Sequence, residues 1–217
     1  EHMRGLDELG ERDTFDFQER TYLKAFAKAS LAGEMEKAMA VLKARNQSIW
    51  VKHTSERQAI WMTADRALQL MMAISDKQEH LNAVGKNLAD LFLGYGYDLR
   101  KVDHLHRDLE RALVDTYGEM DALGELVDTA RKSYLQFIEE VQTSFINLIQ
   151  REGWPAGGQI RNTEVFEKFV APWVKEKKKT AYFLVDALRY ELAAELEKEL
   201  STDFTTKLQP VCAQLPT

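Results

Sequence analysis

Apolar residues recur at helical spacing through the first two thirds of the chain. Tyr22, Phe26, Ala29 and Ser30 line one side of a predicted helix, and Met35, Ala38, Met39 and Leu42 repeat the pattern. Gly33 between them predicts a helix–helix corner. Thr54–Arg57 resembles a cap before a helix carrying Ile60, Trp61, Ala64, Ala67, Leu68 and Met71. Leu88, Leu91, Phe92 and Tyr95 form another stripe, which Gly94 and Gly96 are expected to end. A further helix is predicted from about Asp98 to Tyr117, and the longest from Gly124 to about Arg151.

The texture then changes. All four prolines lie after residue 154, and Gly153-Trp154-Pro155-Ala156-Gly157-Gly158 is the strongest turn signal in the chain. A short helix, roughly Thr163–Trp173, is expected before the charge run Lys175–Lys179, read as a solvated loop. The run Ala181–Val185 is continuously apolar and of strand length, as in parallel strands buried on both faces. It ends at Asp186. An amphipathic helix over Leu188–Leu200 and a second strand within 204–215 complete a strand–helix–strand unit. The predicted fold class is therefore mainly α: a multi-helix domain (4–153), a linker with a short helix (154–179), and the opening of an α/β domain (180–217).

Composition narrows the function classes. A net charge of −6 with both signs dispersed gives no global basic field for nucleic acid. The lone Cys212 permits no intramolecular disulfide, so a reducing, cytoplasmic setting is expected, with Cys212 a small buried hydrophobe. No apolar run is long enough to span a membrane. Glu1-His2-Met3 lacks a signal-peptide core and looks like a cloning remnant, so His2 enters no site argument. His104 and His106 sit two apart on a helix, point apart, and are poorly placed to share a metal. Trp61 reads as core, whereas Trp154 and Trp173 flank turns.

Asp186 carries the candidate chemistry. A carboxylate at the carboxyl end of a buried strand lies where open α/β sheets place their ligands. Buried, it needs a cation, a metal or partial solvation. Two roles stay open on spacing alone: capping a helix that starts at Ala187, or binding a metal or substrate. Arg189 follows within reach if strand turns directly into helix.

The segment Val185-Asp186-Ala187-Leu188-Arg189-Tyr190-Glu191 resembles the first core motif of the PglZ family, the phosphatase-like component of bacteriophage-exclusion (BREX) defence systems. Gln214-Leu215-Pro216-Thr217 resembles that family's second motif. The resemblance implies an alkaline-phosphatase-like α/β domain, begun here and not finished. It implies two divalent metal ions, zinc foremost, with Asp186 a ligand of one of them. It makes Thr217 either the nucleophile or its near neighbour. The other ligands would lie downstream, so the piece alone is expected to be inactive. Implied partners are other BREX proteins, such as a methyltransferase and an ATPase, with DNA a further partner of the longer protein. A second reading makes the helical domain an interaction module docking those components. A third makes it a helical scaffold whose likeness at 180–196 is fortuitous.

Overall fold

In a computed structural model, the structure describes residue 15, residues 17–116 and residues 120–213. The described residues are mainly helical. In chain order they form α1 (Phe17–Leu31), α2 (Met35–Arg45), α3 (Ile49–His53), α4 (Ser55–Val84) and α5 (Leu88–Gly94). A π-helical turn, Tyr95–Leu99, leads into α6 (Arg100–Val114) and then α7 (Gly124–Glu152). After a gap come α8 (Ala171–Lys175) and α9 (Tyr190–Leu200). No helix among the described residues is long and apolar enough to cross a membrane.

The chain divides into two compact units. One takes the described residues up to Lys77 with Val102–Ile138; the other takes Gln78–Lys101 with Glu139 onward. In the first, α1 and α2 pack against each other across Gly33, whose φ of 76° is the left-handed turn the corner needs. Phe26 and Trp61 meet edge to face at 5.8 Å and are fully buried, as the apolar stripes predict. Leu68, Leu109, Leu126 and Phe137 extend that core.

This core also encloses a charge. Glu19 is 1% exposed and accepts from Arg45 Nη2 at 2.5 Å, Ser48 Oγ at 2.7 Å and Trp61 Nε1 at 2.8 Å. The Arg45 guanidinium lies 4.3 Å from the centre of the Tyr22 ring. A buried ion pair of this kind is tolerated only when hydrogen bonds occupy the remaining lone pairs.

A second charged pair is only half-buried. Glu110 on α6 accepts two bonds of 2.7 Å from Arg131 on α7, a forked arrangement. The hydrogen bond from Arg131 holds the Glu110 carboxyl below the usual carboxylate range. A depressed folded pKa contributes stability above the unfolded value, and that contribution is lost as pH falls through the folded value. Glu110→Gln is therefore expected to lower the unfolding midpoint in urea at pH 7. The loss should be under about 1 kcal/mol for so exposed a pair and should shrink as acidification carries the pH below the ordinary carboxylate range. A difference that grew on acidification would contradict the assignment.

The second unit departs from the sequence reading at Gly94 and Gly96. These glycines do not end a helix; helical backbone continues from α5 through the π turn into α6. Gly94 is right-handed, with φ −58° and ψ −43°. A Cβ there would stand 2.9 Å from Val84 Cγ2, so the glycine serves close packing. The turn after α7 is as expected. Gly153 has φ 80°, and Trp154 packs edge-on to Phe92 and Phe145 while Nε1 donates to the Ala213 carbonyl at 2.8 Å. The short helix expected over 163–173 is a mixed run: a 3-10 turn (Asn162–Glu164), a π turn (Phe166–Val170) and α8, whose first turn accommodates Pro172.

Candidate functional site

Residues 181–185, expected as a buried strand, have neither helix nor strand structure and are exposed. Phe183 and Leu184 are each 82% exposed. A strand exists only through ladder hydrogen bonds to a neighbour, and no described segment pairs with this one. Of the second expected strand, within 204–215, the described residues show one parallel bridge. The Asn162 amide donates to the Cys212 carbonyl at 2.9 Å, and the Cys212 amide to the Ile160 carbonyl at 2.7 Å. Cys212 itself is 2% exposed, and burial pushes its thiol up, as a small core residue should behave.

The helix of the expected unit is present, but shorter. It begins at Tyr190, with Arg189 at its N-cap and no side-chain cap bond. Asp186 therefore does not cap it. Asp186 stands in an exposed turn where its Oδ1 accepts the amide of Ala187 at 2.8 Å, and Ala187 has the left-handed φ of 54°. Arg189, expected near Asp186, has its Nη1 3.9 Å from Oε1 of the buried Glu191 instead. Thr217, with Gln214, Leu215 and Pro216, lies outside the described residues.

One anchoring residue went unread in the sequence. The Tyr190 hydroxyl is buried without a hydrogen-bond partner among the described residues, and burial pushes its pKa up. A Cβ on Gly96 would stand 3.6 Å from that oxygen and 3.4 Å from Pro210 Cβ. Gly96 thus lies beside the start of α9 at ordinary contact distance, with the Arg100 guanidinium 5.9 Å from the Tyr190 ring centre.

Among the described residues no three His, Cys, Asp or Glu side chains come together in a way that could hold an ion. His104 Nε2 lies 3.5 Å from Asp108, whereas the His106 ring stacks on Tyr134 at 3.7 Å, so the two histidines serve different contacts. Asp186 supplies one hard oxygen donor, with one carboxylate oxygen already engaged by backbone.

The chain is similar to a PglZ protein. It is 26% identical to the alkaline phosphatase-like protein PglZ of Bacillus cereus strain H3081.97 over 169 residues, which is 75% of this chain and 19% of that protein. The chain thus spans about a fifth of that relative's length. A likeness of 169 residues cannot fit within 175–217, so most of it falls on the helical residues, where no motif was read. No family model matches the chain, and no solved structure matches it.

Proposed function

We propose that the chain is part of a longer PglZ-like protein of a BREX defence system, a cytoplasmic metal-dependent hydrolase of phosphate esters. The likeness to an alkaline phosphatase-like protein over 75% of the chain carries this reading. The Val185–Glu191 segment adds a residue-level reason, because a strand-end acid is the type of group that binds catalytic metals. Residues 180–217 then open the hydrolase domain, and Ala181–Val185 becomes a strand once neighbouring strands supply its ladder.

Asp186 is one ligand of a pair of divalent ions, with zinc the expected metal, and the remaining ligands come from further chain. Such ions neutralise phosphoryl oxygens and lower the pKa of an attacking hydroxyl. Thr217, or a residue beside it, attacks phosphorus and carries the phosphoryl group covalently until water releases it. DNA phosphodiesters fit the defence setting as substrate. On this reading Asp186 alone cannot hold two ions, and the chain is inactive without the remaining ligands. On the same reading the helical residues have a second role, docking other BREX components such as the methyltransferase or ATPase.

The test uses the longer protein and a chromogenic phosphodiester. Turnover should require zinc or manganese, disappear on chelation and return when metal is restored. Turnover that survives exhaustive chelation, or its absence with every divalent ion, would contradict the hydrolase reading.

A further inference from the structure

The run from Phe166 to Lys179 joins two kinds of exposed group. Phe166, Phe169 and Trp173 recur along one short helical run, and Trp173 is 53% exposed. The lysines that follow are exposed as well. Within this run five lysines stand against two glutamates, in a chain whose net charge is −6. Some of that charge is already answered: Lys168 lies 3.4 Å from Glu164 and Lys178 2.7 Å from Glu176. Lys175, Lys177 and Lys179 have no ion partner among the described residues.

The backbone turns back after Trp173 and brings one lysine of the run, Lys178, onto its ring. The Lys177 amide donates to the Val174 carbonyl at 2.9 Å and the Lys178 amide to the Trp173 carbonyl at 3.0 Å. Lys177 takes the left-handed φ of 57°, which a non-glycine residue adopts at a cost. Lys178 Nζ then sits 4.2 Å from the centre of the Trp173 ring. Tyr182 backs the other end, its ring centre 6.0 Å from that of Phe166.

We propose that this basic and aromatic strip, Phe166–Lys179, binds single-stranded nucleic acid. Cationic side chains track a phosphate backbone, and exposed aromatic faces stack on bases that are not already stacked in a duplex. An acidic polypeptide would use the charges but leave the exposed rings idle. A duplex would hide the base faces the rings need. The strip lies ahead of residues 180–217 and needs neither the hydrolase chemistry nor Asp186, so either proposal can fail without the other.

Fluorescence anisotropy with a labelled oligothymidylate of about twenty nucleotides tests it on this chain. The chain should bind the single strand more tightly than a duplex of equal length. The affinity should fall with salt at a logarithmic slope of about −2, as for three phosphates on single strands. The triple variant Lys175→Glu, Lys177→Glu, Lys179→Glu should lose at least about tenfold in affinity and most of that slope. Trp173→Ala should lose about tenfold with the slope unchanged. Circular dichroism and the urea midpoint confirm that each variant keeps its fold; the lysine triple changes exposed positions only, so it decides the matter if Trp173→Ala does not fold. Failure to bind at low salt, or full binding by the triple variant, overturns the proposal. So does displacement by polyglutamate as effective as by unlabelled oligothymidylate, which would make the strip a dock for acidic protein.

Discussion

Glu19→Ala is expected to destabilise the first unit by about 3–5 kcal/mol, a large share of the total stability of a typical domain. The carboxylate accepts from Arg45, Ser48 and Trp61 at 2.5, 2.7 and 2.8 Å. Its removal leaves a 4% exposed arginine without this counter-charge and takes the acceptor from the Ser48 hydroxyl and the Trp61 indole N–H. Glu19→Gln keeps shape and part of the hydrogen bonding but drops the charge, so about 1–3 kcal/mol should be lost. Replacing both partners, Glu19→Leu with Arg45→Met, should recover most of the deficit, because no buried charge is left behind. Urea unfolding followed by fluorescence measures all three. A Glu19→Ala loss under about 1 kcal/mol would show that the trio is not a buried pin.

That pin was legible in principle. Glu19 stands three residues before Tyr22 and seven before Phe26, on the apolar stripe, and an acid in that register calls for a buried partner. The partner, Arg45, is remote in sequence, and periodicity gives no means of finding it. Local patterns succeeded where local physics decides. The predicted helix from Gly124 to about Arg151 is observed as Gly124–Glu152, and Gly33 makes its corner. They failed where neighbours decide. Gly94 looked like a breaker by propensity, but its lack of a side chain admits Val84.

The candidate site shows the same division more sharply. The helix over 188–200 was read from its own amphipathic pattern and is present from Tyr190. The strand before it depends on pairing with other strands, which no single segment encodes, and Ala181–Val185 stays exposed without them. The acid at its end therefore lacks burial and, among the described residues, the companion ligands that would mark it as a site. Its meaning comes from the Val185–Glu191 resemblance and from the likeness to a protein about five times the span matched here.

On the proposed reading, Asp186→Ala in the longer protein should reduce metal-dependent phosphodiester turnover by about a thousandfold or more. Loss of one of the few ligands of a catalytic ion removes both its charge and its position. Asp186→Asn should be nearly as damaging, since a neutral amide oxygen keeps the shape but is a much weaker ligand than a carboxylate. The fold should be untouched: the one hydrogen bond that the carboxylate accepts among the described residues, from the adjacent Ala187 amide, is exposed. The deciding measurement is turnover of a chromogenic phosphodiester at saturating zinc or manganese by the intact longer protein and its Asp186→Ala variant, with matched circular dichroism. Collapse of turnover with the spectrum unchanged is the predicted result; equal turnover by the two proteins would contradict the assignment of Asp186 as a metal ligand.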